Sequence, residues 1–232
     1  MLDLRSGKPR AVVAVLAFPL VLAGRRASAQ LPGLPAAQSA FPAPGLALAL
    51  NGGSGDGRSV GSVAGATGVR RLQFTAAVGL PGAPDNFERR GISIGARLAG
   101  RLYRTERLGV SAFAGYGMEQ FRYTPVAARP IGTFRQVPVG VSAGVRGLVG
   151  ERPYAVSLAP MYVYTRWGIT DTTRSRSVGR VAALGELALT SRIAAGVALE
   201  LGPGGPAGSP LAGGRRVVGA GLSYALRRAV AR

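Results

Sequence analysis

The sequence predicts an all-β fold, an antiparallel up-and-down transmembrane β-barrel of about eight strands, with ten strands as an open alternative. Three observations predict it. Apolar residues recur at every second position from residue 70 onward, which is the spacing of a strand with two different faces. The alternating stretches mostly run for about ten residues or more, longer than the usual globular strand. Long and tight connections alternate, as in barrels with long loops at one rim and short turns at the other.

The composition of the 232 residues removes many chemistries. The chain has no Cys and no His, which excludes disulfides, cysteine nucleophiles, thiolate or imidazole metal sites and Ser-His-Asp triads. Charged residues make up 17% of the chain, below the roughly 25% of ordinary soluble domains. We therefore expect no enzyme activity, no metal and no cofactor.

Residues 1–29 have the three parts of a secretory signal peptide. Arg5, Lys8 and Arg10 form a positive start, and residues 11–24 form an apolar run too short for a membrane-spanning helix. Small residues at 27–29 (Ala-Ser-Ala) suit signal peptidase, so cleavage is expected before Gln30. The chain is therefore predicted to be exported.

Residues 30–69 form an Ala/Pro/Gly-rich N-terminal segment. We expect residues 31–44 to be a flexible periplasmic lead-in, because they are rich in proline. Residues 46–50 and 60–66 are weak strand candidates that would raise the strand count from eight to ten. The barrel itself is expected over residues 70–232.

Eight alternating stretches carry the barrel prediction. Residues 181–201 also suit a helix, because Ala, Leu and Glu are good helix formers. The last strand is expected to close the barrel by pairing with residues 71–80. The eight stretches are 71–80, 92–99, 108–119, 136–146, 153–166, 180–189, 192–201 and 217–226. Long connections are expected at 81–90, 122–133, 167–177 and 202–214, and tight ones at 104–106, 149–152 and 190–191.

The two faces of these strands differ in kind. One face carries Val, Leu, Ile and Ala and is expected to contact lipid, while the other carries Gly, Ala and Ser. The alternative is a soluble barrel turned the other way, with the apolar face as its core. The predicted inner face also holds charges, which we expect to pair as Arg–Glu networks across the lumen. These residues are Arg97, Arg101, Glu119, Arg146, Arg180, Glu186, Arg192 and Glu200.

Six further arginines lie in or beside the predicted long connections. Their guanidinium groups could contact lipopolysaccharide phosphates through bidentate hydrogen bonds, and the alternative is that they are solvated loop charges. They are Arg89, Arg90, Arg122, Arg129, Arg174 and Arg176.

Two stretches, 91–95 and 140–144, match the G-x-S-x-G pattern of hydrolase nucleophiles. That chemistry needs a base beside the serine, and the chain has no histidine. A strand face built from small residues produces the same pattern, so we interpret both stretches as ordinary strand.

The exported, alternating chain resembles the small outer-membrane β-barrel proteins of Gram-negative bacteria, the OmpA/OmpX/OmpW-like group. The resemblance covers about residues 70–226, including an alternating terminal strand with Tyr224 and Leu226 in its apolar positions. It implies location in the cell outer membrane, contact with its lipid and lipopolysaccharide, and insertion by the barrel-assembly machinery.

The sequence therefore predicts a non-enzymatic outer-membrane protein, most simply a monomer, with a structural, adhesion or surface-interaction role. A narrow pore is a sub-hypothesis. The alternative is a soluble periplasmic or secreted β-barrel that binds an apolar ligand. Nucleic acid is not an expected partner despite the net charge of +19, because the arginines are scattered and the chain is exported.

Overall fold

The computed structural model describes residues 38–42, 45–55, 58–82, 87–124, 128, 130–207 and 215–228. The predicted signal peptide lies outside the described residues. Ten strands are described, and no helix of the described part is long and apolar enough to cross a membrane. The strands are β1 (Gly45–Gly55), β2 (Arg58–Val69), β3 (Leu72–Pro81), β4 (Phe87–Arg104), β5 (Leu108–Tyr123), β6 (Ile131–Val149), β7 (Arg152–Ile169), β8 (Thr172–Ala188), β9 (Ile193–Gly202) and β10 (Arg215–Arg228).

The strands form one closed antiparallel barrel in which each strand pairs with its neighbours in the chain and β10 pairs with β1. This confirms the predicted all-β up-and-down barrel, with the ten strands of the open alternative rather than the favoured eight. The predicted closing pair is wrong, because β1 and β2 lie between β10 and β3. Leu50 of β1 instead stands opposite Leu222 of β10.

The antiparallel order gives the barrel two different rims. The near rim, where β1 begins and β10 ends, carries the connections 70–71, 105–107, 150–151 and 189–192, none longer than four residues. The opposite end, the far rim, carries the connections 56–57, 82–86, 124–130, 170–171 and 203–214. The longest connections are therefore all at the far rim, as the alternation of loop lengths predicts.

One prediction of local structure is wrong, and one alternative is excluded. The long connection expected at 167–177 is a two-residue turn, because β7 and β8 stay paired up to Ile169 and Thr172. The helix considered for 181–201 is strand, because β8 and β9 pair with each other and with their other neighbours. Burial of one face against the lumen outweighs the helix propensity of Ala, Leu and Glu.

The outer face of the barrel wall is apolar. Phe74, Leu98, Ala114, Val139 and Tyr162 stand directly opposite one another in a row across β3 to β7. Every strand exposes at least one large apolar side chain on this face: Leu48, Val63, Phe74, Leu98, Tyr116, Val139, Leu158, Val181, Leu201 and Leu222. This orientation is the opposite of a soluble barrel with an apolar core.

Candidate functional site in the barrel lumen

The inner wall of the barrel has a bulky side and a small side. Large side chains such as Phe113, Met161 and Val163 are buried on β5 and β7. The inner positions of β1, β2, β9 and β10 hold mostly Gly and Ala, for example Ala49 and Ala64. The lumen is therefore filled unevenly, and the space beside the small wall is available to other groups.

Residues Gln38–Pro42, here called the lumen segment, occupy part of that space. The hydroxyl of Ser39 donates a 2.7 Å hydrogen bond to the carboxylate of Glu186 on β8. The amide of Ala40 donates to the Ser157 hydroxyl at 3.0 Å, and Ala40 is fully buried. The expectation of a flexible periplasmic lead-in is wrong for these five residues, because inner-wall groups bind their backbone and side chains.

Serines of the inner wall complete the attachment. Ser111 on β5 and Ser142 on β6 stand directly opposite each other. Ser111 donates to the carbonyl of Ser39 at 3.2 Å, and Ser142 donates to the carbonyl of Gln38 at 2.7 Å. Ser142 is the serine of the second G-x-S-x-G stretch, so its role here is to hold a peptide carbonyl inside the lumen.

Arg146 of the near rim contacts the lumen segment. The guanidinium of Arg146 lies 5.4 Å from the centre of the Phe41 ring, a cation–π distance. The same guanidinium donates to the carbonyls of Glu106 at 2.8 Å and Thr105 at 3.3 Å in the β4–β5 turn. Arg146 therefore connects the β4–β5 turn of the near rim to Phe41 of the lumen segment. Arg101 is half-buried and lines the same surface hollow at the near rim as Arg146.

The buried charges Arg180 and Glu200 form an ion pair on the inner wall. Nη1 of Arg180 lies 3.2 Å from Oε1 of Glu200, and both side chains are fully buried. Such a pair loses its hydration, so its attraction must offset a desolvation cost of several kcal/mol per ion. Nε of Arg180 also donates to the carbonyl of Pro203 at 3.1 Å, which links this pair to the far rim.

Residues Pro203–Ala207, here called the inturned loop, fold against the inner side of β8. Arg176 donates to the carbonyl of Gly205 at 3.4 Å and Arg174 donates to the carbonyl of Ala207 at 3.1 Å. With the Arg180 bond to Pro203, arginines along one side of β8 meet every second carbonyl of the loop. Gly204, Gly205 and Pro206 are buried by this arrangement.

An aromatic layer lies near the far rim. Phe121, Phe134 and Trp167 are buried on β5, β6 and β7. Gly132 lies beneath the Trp167 ring so closely that a Cβ at this position would overlap the indole. Together with the inturned loop, this layer fills the far part of the bulky side of the lumen.

A cavity of about 300 Å³ remains beside the small wall. It lies between the lumen segment and the strands β1–β4 and β8–β10, and its lining includes Arg97, Glu186, Asn51 and Thr75. The Nδ2 atom of Asn51 is buried without a hydrogen-bond partner in the described residues. These four residues make part of the cavity lining polar, while alanines and leucines of the same strands make the rest apolar.

The structure places the predicted lumen charges in four settings. Arg97, Glu119, Arg180 and Glu200 are buried in the lumen, and Glu186 is half-buried there. Arg101 and Arg146 are half-buried at the near rim. The lumen placement of Arg192 is corrected, because this residue is exposed in the β8–β9 connection and donates to the hydroxyl of Tyr224 on the outer face.

The arginines predicted to contact lipopolysaccharide do not share one setting. Arg174 and Arg176 are exposed, and each donates one hydrogen bond to a carbonyl of the inturned loop. Arg122 is half-buried near the end of β5. Arg89 and Arg90 belong to β4, but their side chains lie outside the description, as does Arg129.

Sequence reasoning missed the lumen segment and the serines that bind it. A signal was present: Ser111, Ser142 and Ser157 all occupy inner positions of neighbouring strands. Hydroxyl groups clustered on an inner wall indicate a polar occupant, but nothing in the pattern identified that occupant as the chain's own residues 38–42. Among the described residues, no group of three or more Asp or Glu side chains is arranged to hold a metal ion.

Comparisons with known proteins add a distant likeness in shape. No protein-family model matches the chain. No curated protein matches it either. Among solved structures, the chain is similar to the translocator domain of the autotransporter NalP from Neisseria meningitidis, with 12% sequence identity and a TM-score of 0.46. That likeness covers 93% of this chain and 96% of the other.

Proposed function

We propose that this chain is a non-enzymatic outer-membrane β-barrel protein with a structural or surface-interaction role, whose lumen is closed by its own residues. The observation that carries the proposal is the continuous band of exposed large apolar side chains on the outer face, while the buried charges and most buried hydroxyl groups lie inside together with a smaller apolar cluster. A water-soluble protein rarely exposes a continuous apolar band of this kind, whereas hydrocarbon requires one.

The closed sheet supports the same proposal. In hydrocarbon every backbone N–H and C=O must find a partner within the protein, and a barrel without an edge strand provides this. The β10–β1 pairing removes the edge here. The strands run from 10 to 19 residues, enough to cross a bilayer at a tilt.

The rims suggest an orientation. Membrane barrels of this kind carry short turns on the periplasmic side and long loops on the cell-surface side. By that rule the near rim faces the periplasm and the far rim faces the exterior. The lumen segment then closes the periplasmic side, and the inturned loop closes the surface side.

The occupied lumen argues against the narrow-pore hypothesis. Hydrogen bonds fix the lumen segment to β5, β6, β7 and β8, and three arginines fix the inturned loop to β8. We therefore propose that the resting barrel does not conduct. The far rim, with its long connections, would carry any surface interaction.

Cell fractionation combined with gel mobility tests this proposal. The chain would be expressed with its residues 1–29 in a Gram-negative host, and outer-membrane, periplasmic and cytoplasmic fractions would be run with and without boiling. Closed membrane barrels resist detergent until heated, so we expect two mobilities in the outer-membrane fraction. A single heat-insensitive band in the soluble periplasmic fraction would contradict the proposal.

A further inference from the structure

Two arginines face outward together on the β6–β7 hairpin. Arg135 and Arg166 stand directly opposite each other in the strand register, and both are exposed on the outer face. One step closer to the far rim, Thr133 stands opposite Gly168, which in turn stands opposite Thr173 of β8. These side chains line a surface hollow of about 240 Å³.

No acidic residue flanks the pair in its own row of the described strands. Like charges directly opposite each other across a sheet are unfavourable. The next residues in the same row are Met118 on β5 and Ser175 on β8, neither of which is acidic. Within the described part of the chain, neither guanidinium forms a hydrogen bond or an ion pair. An anion placed between them would relieve the repulsion and use their free donors.

The position of the pair on the wall indicates which anion. One row closer to the near rim, Val137 and Tyr164 stand opposite each other and are exposed, and Val139 and Tyr162 follow two residues further along. The guanidinium groups therefore stand near the far-rim edge of the apolar face, with Ile131 as the exposed large apolar side chain of β6 beyond them. In a bilayer this is the level of the lipid headgroups, at which tyrosines are also enriched.

We propose that Arg135 and Arg166 form a binding site for the phosphate of an anionic lipid headgroup on the outer wall, with the hydroxyls of Thr133 and Thr173 as additional donors. Guanidinium forks match phosphate oxygens in a bidentate manner, and bonds to a charged oxygen are stronger than neutral ones. The site rests on the proposed membrane location, and it uses none of the arginines that the sequence analysis assigned to lipopolysaccharide.

A titration with a defined lipid tests the site. The folded full chain would be purified in neutral detergent and titrated with fluorescent diphosphorylated lipid A, with dephosphorylated lipid A and inorganic phosphate as comparison probes. The variants are the double change R135Q/R166Q and the double change R135K/R166K. The matched control is R152Q, because Arg152 is exposed on the same strand as Arg166 but at the near rim. The heat-dependent mobility shift verifies that each variant is folded.

We expect R135Q/R166Q to weaken binding of diphosphorylated lipid A by roughly tenfold to a hundredfold, because charge-assisted hydrogen bonds are lost. R135K/R166K should fall between this variant and the wild type, and R152Q should bind like the wild type. Equal binding by R135Q/R166Q and the wild type would overturn the site, as would an equal loss in R152Q. Displacement of lipid A by inorganic phosphate would overturn its assignment to lipid. Fractionation tests membrane location without added lipid A, so the two proposals fail separately.

Discussion

The Ser39 hydroxyl donates a 2.7 Å hydrogen bond to the carboxylate of Glu186, 147 residues later in the chain. This bond joins the stretch before the first strand to the inner face of β8. It places residues 38–42 inside the near part of the lumen, beside the remaining cavity. Hydrogen bonds to a charged group contribute more than neutral ones, so loss of the Glu186 carboxylate should loosen the segment.

Cysteine labelling measures how firmly the lumen segment is held. The chain has no native cysteine, so A40C places a single thiol at a fully buried position. We expect A40C to react slowly with a water-soluble maleimide in the folded barrel and rapidly after heating. Adding E186A should accelerate labelling by roughly tenfold, because the Ser39 bond is lost.

The matched control for this experiment is S223A in the A40C background. Ser223 lines the same cavity, but its hydroxyl donates to the carbonyl of Ala194 within the wall. Labelling in A40C/S223A should stay as slow as in A40C alone. Rapid labelling of A40C in the folded barrel would show that residues 38–42 do not occupy the lumen.

Breaking the Arg180–Glu200 pair should strongly destabilise the barrel. E200Q keeps the shape of the side chain but removes the Glu200 charge beside the buried Arg180, and breaking a buried pair in this way typically costs about 3–5 kcal/mol. The free energy of unfolding in urea, measured in lipid vesicles, gives the loss. Replacing both partners by R180M/E200L should cost less than E200Q alone, because neither charge of the pair then stays buried without the other.

A surface carboxylate provides the comparison for that measurement. Glu151 is exposed in the β6–β7 turn, so E151Q should change the free energy of unfolding by less than about 0.5 kcal/mol. A loss in E200Q no greater than in E151Q would contradict the buried pair.

The packing of Trp167 on Gly132 predicts a position-specific glycine effect. G132A introduces a methyl group into the space of the indole ring, and such overpacking typically costs about 1–3 kcal/mol. G179A is the control, because no atom lies within 4 Å of a Cβ there. Urea unfolding should separate the two variants, and equal stability of G132A and G179A would contradict the aromatic layer.

The inturned loop should depend on its arginine donors. R174A/R176A removes the side chains that bind the carbonyls of Ala207 and Gly205. We expect proteinase K to cleave between β9 and β10 roughly tenfold faster in this variant on intact cells, because two tethering bonds are lost. R152A at the near rim should leave the cleavage rate unchanged. An unchanged rate in R174A/R176A would show that these arginines do not hold the loop.

The alternation of side chains made most of the wall predictable from the sequence. Leu98 faces outward and Ala99 inward, because a strand between lipid and lumen must meet opposite requirements at successive positions. The same reasoning undercounted the strands, because β1 and β2 are interrupted by glycines such as Gly52 and Gly61. The local pattern of β1 and β2 is weak, and their hydrogen-bonded pairing with β10 and β3 holds them as strands.

The contents of the lumen could not be predicted in the same way. The alternation of side chains along each strand indicated that Arg180 and Glu200 face inward. The register between β8 and β9, which brings the two side chains together, could not be predicted from this alternation. The Ser39–Glu186 bond and the arginine bonds to residues 203–207 join segments far apart in sequence. A backbone carbonyl leaves no trace in the side-chain pattern, so the sequence indicated only lipopolysaccharide contacts or solvated loop charges for Arg174 and Arg176.

Lipid quenching on one strand tests the central claim most directly. Leu50 and Ala49 are neighbours on β1, Leu50 exposed on the outer face and Ala49 lining the cavity inside. Single cysteines at these positions would be labelled with a small fluorophore and reconstituted into bilayers of brominated lipid. The proposed barrel predicts strong quenching at position 50 and weak quenching at position 49. Equal quenching at both positions, or none at position 50, would contradict a wall that faces lipid on one side only.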